Sequence, residues 1–387
     1  MSLGGRAAVR LLSTPEWHMS KNRFFLALIV VSALLCGCGS PASTTGGVTS
    51  PAQQPVITTA NAQNGALIVT LASPTSAATI YYTLDATAPT TSSPVYEAPF
   101  LVTSSLTVKA IAAGSGLSAS PVATQTLSAT IPSNTLVWSD EFNNSTSANA
   151  QPNPITWTYD TGPGAACCGN NELENYCAWA SATAPCNPAN PNVFLDTAGL
   201  LHIVARQPSS GVYTSGRIKT QGLFSFQYGR LEAHIKLPES QGMWPAFWLL
   251  GNSRATIDWP ACGEIDVMEH IDGSNPQNSG FDWVKGSIHG TNLNTGIEYH
   301  PKGFSAADWH TYGMIWTKGQ IQYYVDDPSN IYATFTPSTQ PGTWPFDAGP
   351  EFILLNLAVG GDWPGDPNAQ TQFPSEMQVD YVRLYTN

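Results

Sequence analysis

The chain has 387 residues and a net charge of −12, from 15 basic and 27 acidic side chains. Only 11% of the residues are charged, against roughly 25% in ordinary soluble domains, and no Lys/Arg run occurs, which argues against a nucleic-acid partner. The length allows two or three domains, and 33 Gly and 30 Pro with frequent Thr, Ser, Val and Tyr favour an all-β chain.

Lys21 and Arg23 precede an apolar run over residues 24–35, which ends in Leu35-Cys36-Gly37-Cys38. A basic start, about a dozen apolar residues and small residues at the end make an export signal. The run is too short for an ordinary membrane-spanning helix. Met19 is the expected start, because residues 1–18 add nothing that a signal needs. Leu35-Cys36-Gly37-Cys38 resembles the lipobox of bacterial lipoproteins. That resemblance implies cleavage before Cys38, acylation of its thiol and anchoring of an exported protein to a lipid membrane at the cell envelope.

Residues 39–60 are Ser, Thr, Gly, Pro, Ala and Gln in the main and read as a flexible tether. Residues 61–131 read as a small β module. Its strands are expected at 66–71, 79–83 and 106–112, with turns at 85–89 and at Ser92-Ser93-Pro94. Ile80-Tyr81-Tyr82-Thr83-Leu84-Asp85, then Pro89-Thr90, Tyr96, Pro99 and Lys109-Ala110, resemble the small immunoglobulin-like modules beside bacterial sugar-degrading domains. A spacer is expected here rather than a binding module, since exposed aromatics are few.

Residues 134–387 read as the main domain, a β-sandwich of two stacked sheets. Over 230–238, Leu231, Ala233, Ile235 and Leu237 fall on one face and Arg230, Glu232 and His234 on the other, the pattern of a half-buried antiparallel strand. Segments 351–359 and 377–385 are expected to behave likewise. Eleven of the twelve Trp lie at or after Trp138, more than a core needs, and indole faces suit the apolar faces of sugar rings. Beyond Cys38, five cysteines remain. Cys177 and Cys186 would close a short loop and are the preferred disulfide. Cys262 is left to pair with Cys167 or Cys168, with at least one thiol free.

The central feature is Trp259-Pro260-Ala261-Cys262-Gly263-Glu264-Ile265-Asp266-Val267-Met268-Glu269-His270. In a strand, Glu264 and Asp266 share one face while Ile265 and Val267 enter the core. Strict alternation would send Glu269 into the core. One extra residue near Val267-Met268, a β-bulge, returns it to the acidic face. Crowded carboxylates repel one another, which a structural strand does not need. Glycosidic cleavage does: one carboxylate attacks the sugar while another holds a proton for the leaving oxygen. A divalent-metal site and a non-catalytic sugar-binding sandwich are the competing readings of the acids alone.

This segment resembles glycoside hydrolase family 16, in its laminarinase-like branch. The resemblance extends over 134–387 through Asn170-Asn171-Glu172-Leu173-Glu174, Gly242-Met243-Trp244-Pro245-Ala246-Phe247-Trp248-Leu249-Leu250, Ser287-Ile288-His289-Gly290, Asn356-Leu357-Ala358-Val359-Gly360-Gly361 and Val379-Asp380-Tyr381-Val382-Arg383-Leu384-Tyr385. It implies a concanavalin A-like β-jelly-roll with a long open cleft and a retaining, endo-acting monomeric enzyme that needs no cofactor. Glu264 would be the nucleophile, Glu269 the acid/base and Asp266 their helper, through a hydrogen bond to Glu264. Asn171, Arg217, Trp244, Trp248 and Trp259 would line subsites, and His289 would lie near the acid/base. Glu141 and Asp380 match a structural Ca2+ site. The bulged acid spacing is similar to that of β-1,3-glucanases, so a laminarin-like β-glucan is the expected substrate, with mixed β-1,3-1,4-glucan tolerated. Without a basic cluster for sulfate, agar and carrageenan are less expected. A glucan-binding protein on this fold would lack one of the glutamates. Cys167-Cys168 departs from the glycine and aromatic usual in relatives, which puts subsite shape there in doubt, and Asp326-Asp327-Pro328 replaces a common Asp-Gly turn.

Overall fold

The computed structural model describes residues 50–143, 145–167, 169–272 and 279–387. The export signal, Cys38 and the first part of the tether lie outside the described residues. No helix among those described is long and apolar enough to cross a membrane.

The tether is shorter than expected. Val56–Asn61 is a strand, paired antiparallel with Leu67–Ala72 from Val56↔Ala72 to Asn61↔Leu67. Its polar composition hides it, because five of its six side chains are exposed. With Phe100–Val102 it makes one three-stranded sheet of the module, and Thr79–Thr83, Ser104–Ala113 and Ala123–Thr130 make the other. Val69, Leu71, Tyr82, Phe100 and Val108 fill the space between them.

The rest of the chain is a sandwich of an eleven-stranded and a seven-stranded sheet. The seven-stranded sheet runs in the order Leu293–Tyr299, Val284–Gly290, Glu264–Glu269, Met243–Gly251, Glu351–Val359, Arg217–Lys219 and Thr158–Tyr159. All its pairs are antiparallel. In the other sheet, the strand Gly229–Lys236 turns Leu231, Ala233 and Ile235 inward, each fully buried, as its alternation requires. The strand Leu136–Asp140 pairs with the C-terminal strand Ser375–Tyr385, so the sandwich begins near residue 136. The core between the sheets takes Phe247, Ile265, Val267, Met268, Ile353 and Leu355 from the seven-stranded side and Met314, Trp316, Ile321 and Val379 from the other.

Glu351–Val359 departs from the expected alternation, because all nine of its residues are buried. One face lies in the core. The other lies under a smaller apolar cluster of Ala246, Trp248, Leu250, Cys262, Phe352 and Leu354. That second cluster is the apolar part of the outer face of the seven-stranded sheet, where the functional cleft lies.

Candidate active site

The strand Glu264–Glu269 carries the expected bulge. Against Met243–Gly251 it pairs Leu250↔Glu264, Leu249↔Ile265 and Trp248↔Asp266, then jumps to Phe247↔Met268 and Ala246↔Glu269. Against Val284–Gly290 the same jump falls between Asp266↔Ser287 and Glu269↔Lys285. Val267 is the extra residue. The ladder gains one residue on this strand only, so Glu269 swings back to the face of Glu264 and Asp266. Ile265, Val267 and Met268 stay in the core at 0–2% exposure. Gly263 precedes the strand with φ +89°, a left-handed turn that glycine adopts without strain.

These acids lie in an open cleft of about 400 Å³, lined among others by Glu172, Arg217, Trp244, Trp248, Trp259 and Asn356. Two indoles hold the two glutamates. Trp259 Nε1 donates to Glu264 Oε2 at 2.9 Å, and Trp244 Nε1 donates to Glu269 Oε1 at 3.1 Å. Ser287 Oγ donates to the other oxygen of Glu269 at 3.2 Å. His289 Nε2 lies 2.9 Å from Asp266 Oδ2 and 3.8 Å from Glu264 Oε1. His289 therefore sits beside Glu264 and Asp266, not beside the other glutamate as expected, because Glu264 and His289 are direct cross-strand partners.

Burial holds the Glu264 carboxyl well above its ordinary range, and the charge of Asp266 adds to this. Asp266 is raised in the same direction, by burial first and then by Glu269. Three neighbouring carboxyls cannot all ionise together at low cost, so the cluster retains a proton. Glu264, Asp266 and His289 could each offer one atom to a cation, with those atoms within 4.8 Å of one another.

The remaining expected residues divide. Trp248 forms the cleft floor, its Nε1 donating to Asn356 Oδ1 at 2.8 Å, and the Arg217 guanidinium covers its ring at 4.6 Å. Arg217 is itself paired with Asp160 at 2.9 Å. Asn171 turns away, its Nδ2 donating to Asp362 Oδ1, and its neighbour Asn170 lines the cleft instead. Cys262 is a free, buried thiol rather than the disulfide partner expected of it, packed into the apolar cluster under the cleft; Cys168 and the side chain of Cys167 lie outside the described residues. Cys177 and Cys186 do form a disulfide.

The calcium donors are differently engaged. Both oxygens of Glu141 accept from Arg383, at 3.0 and 2.7 Å, and Asp380 Oδ2 lies 3.0 Å from His234 Nδ1. A calcium ion needs six to eight oxygens. Here a guanidinium already neutralises Glu141, and the two acids belong to no three-residue metal cluster among the described residues. These side chains do not fit the expected Ca2+ site.

A second carboxyl pair went unread in the sequence. Glu172 and Glu174 are 7% and 1% exposed. Tyr176 Oη donates to Glu172 Oε2 at 3.1 Å, and Asn356 Nδ2 donates in turn to Tyr176 Oη at 3.2 Å. Burial, then the charge of Glu172, pushes the Glu174 carboxyl up to about 8. The i, i+2, i+4 spacing of Glu172, Glu174 and Tyr176 could have revealed it as one strand face.

Residues 69–127 match the family Fn3 associated, and residues 182–383 match Glycosyl hydrolases family 16. The chain is 37% identical over 269 residues to a "Beta-glucanase" of Rhodothermus marinus, covering 65% of this chain and 84% of that one. It is 35% identical over 284 residues to "Glucan endo-1,3-beta-glucosidase A1" of Niallia circulans, covering 65% of this chain but only 37% of that protein. The laminarinase catalytic domain of Thermotoga maritima superposes with a TM-score of 0.55 at 34% identity, over 66% of this chain and 99% of that one. With its carboxylate cleft and these relatives, the chain belongs to the glycosyl hydrolases of family 16.

Proposed function

We propose that the cleft hydrolyses internal β-1,3-glucosidic bonds of a laminarin-like glucan with retention of configuration. The observation that carries this reading is the bulge at Val267, which places Glu269 on the same face as Glu264 and Asp266. Glu264 is the nucleophile. Its carboxylate oxygen bonds to the anomeric carbon as the glycosidic C–O bond breaks, and Glu269 gives its proton to the departing oxygen. Glu269, now a carboxylate, takes a proton from water. That water attacks the anomeric carbon, and the bond to Glu264 breaks. His289, 3.8 Å from Glu264 Oε1, and the Trp259 N–H both favour the charged form of Glu264. The chemistry runs on these carboxyl groups and calls for no cofactor.

Trp259, 52% exposed, offers a ring face to the sugars, while Trp248 floors the cleft beneath the Arg217 guanidinium. An endo-acting enzyme needs a cleft open at both ends, and the named activities of the Rhodothermus, Niallia and Thermotoga proteins support β-glucan as the polymer. Product analysis on purified laminarin, lichenan and agarose tests the substrate. Release of short oligosaccharides from laminarin is expected, with slower cleavage of lichenan. Inertness towards laminarin with cleavage of agarose would overturn the reading.

The chain is proposed to work outside the cytoplasm, anchored by lipid on Cys38. The Cys177–Cys186 disulfide supports an oxidising compartment. Globomycin sensitivity of processing, together with loss of membrane association in Cys38→Ala, would test the anchor.

A further inference from the structure

The N-terminal module shares its packing with the sandwich. Ala66 and Leu101, from the module, belong to the same buried cluster as the sandwich interior. Asn64 Nδ2 donates to Leu136 O at 2.7 Å. The tightest seam is at Ser225. Phe100 and Ser225 form a parallel bridge. Leu101 N–H donates to Ser225 O at 2.9 Å, and Ser225 N–H donates to Pro99 O at 3.0 Å.

The Ser225 hydroxyl extends this seam towards the cleft. It donates to Pro99 O at 3.0 Å and accepts from Asn252 Nδ2 at 2.8 Å, a bond that is buried. Asn252 opens the 3-10 turn Asn252–Ala255. The N–H groups of Thr256 and Ile257 return to Ser253 O. From there the chain runs without a strand to Glu264. Trp259 stands on that stretch, 52% exposed, with its N–H on Glu264. The module also faces this loop directly. Tyr82 and Pro94 line one side of a cavity of about 230 Å³ whose other side is Ile257, Ala261 and Cys262.

An indole that is half in solvent, on a loop without a strand ladder, keeps one orientation only if the base of the loop is fixed. We propose that the module is a positioning element of the active site. Through Pro99, Ser225 and Asn252 it fixes the turn that carries Trp259, and so keeps the indole N–H on Glu264. This rests on the reading of Glu264 as nucleophile. A hydrogen bond to the carboxylate favours its charged form, so cutting the relay makes Glu264 harder to ionise.

The test uses the full chain and a double-mutant cycle between Ser225→Ala and Trp259→Phe. Ser225→Ala removes the hydroxyl and leaves the backbone bridge. It is expected to lower kcat/KM on laminarin by about three- to tenfold, the range of one lost hydrogen bond, and to move the acidic limb of the pH profile upward. Ser225→Thr, which keeps a hydroxyl, should restore both. In the Trp259→Phe background, Ser225→Ala should have no further effect on the limb. Asn252→Ala cuts the relay from the other side and should repeat the result if Ser225→Ala folds poorly. A lower Tm with an unmoved acidic limb, or the same shift with and without the indole N–H, would overturn the proposal. Failure of the nucleophile reading would show separately, as an active Glu264→Gln enzyme.

Discussion

Two carboxyl groupings, one lining the cleft and one reaching it only through Glu172, differ in one backbone residue. Glu172, Glu174 and Tyr176 follow strict alternation. Tyr176 Oη donates to Glu172, and the Val359 N–H donates to one oxygen of Glu174 at 2.7 Å. Glu264, Asp266 and Glu269 break alternation at Val267. Glu172, Glu174 and Asp266 are buried and Glu264 and Glu269 half-buried, and burial raises carboxyls in both groupings. Raised carboxyls therefore do not mark the catalytic group by themselves. The difference lies in the donors: each catalytic glutamate meets an indole N–H from a cleft-lining tryptophan. The pair at Glu172 and Glu174 is held by the tyrosine, Asn356 and the backbone beneath the cleft.

Substitution breaks this comparison most sharply at Glu264. Glu264→Gln should lower laminarin turnover by at least about four orders of magnitude, in the range of lost nucleophiles, while circular dichroism and Tm stay near those of the parent. Activity within tenfold of the parent would contradict the role. Glu269→Gln comes next. Its loss should be about 10²- to 10⁴-fold on laminarin, the range of general acid–base catalysis. On an aryl glucoside whose leaving group needs no proton, release of the aryl group should slow far less. An equal loss on both substrates would remove the acid/base assignment.

Glu174 sharpens the comparison through pH. Its folded-state pKa of about 8 lies above its ordinary 4.5. Between those values the folded chain binds more protons than the unfolded one, so this group's contribution falls as pH rises from about 4.5 towards 8. Glu174→Gln should flatten that decline, read as Tm at pH 5 and pH 8. An unchanged pH dependence would mean that Glu174 ionises freely in the fold. The smallest effect is expected at Glu141 and Arg383, about a third exposed. Loss of this pair by Glu141→Gln should cost no more than about 1 kcal/mol, and a calcium chelator should leave the parent's Tm in place. A fall of several degrees, reversed by calcium, would show that Glu141 or Asp380 serves a cation after all.

Local pattern carried much of this structure, and long-range packing carried the rest. The alternation in Leu231, Ala233 and Ile235 was enough to place that strand, and the spacing of Glu264, Asp266 and Glu269 was enough to require a bulge. The short separation of Cys177 and Cys186 was enough to suggest their disulfide. The strand Val56–Asn61 was hidden because its partner supplies the apolar side of the pairing. The two buried faces of Glu351–Val359 depend on a second apolar layer beneath the cleft. His289 was assigned to the wrong glutamate because cross-strand register decides its neighbour, and Asn171 because Asp362, 191 residues away, takes its amide. The role of Glu141 depended on Arg383, at the far end of the chain.

The claim that joins these observations is a double displacement by Glu264 and Glu269, set on one face by Val267. Proton NMR of the anomer first released from laminarin tests it most directly. The expected result is β-anomer first, with the α form growing in only as mutarotation proceeds. Release of the α-anomer first would mean single displacement by water and would contradict the assignment of Glu264 as nucleophile.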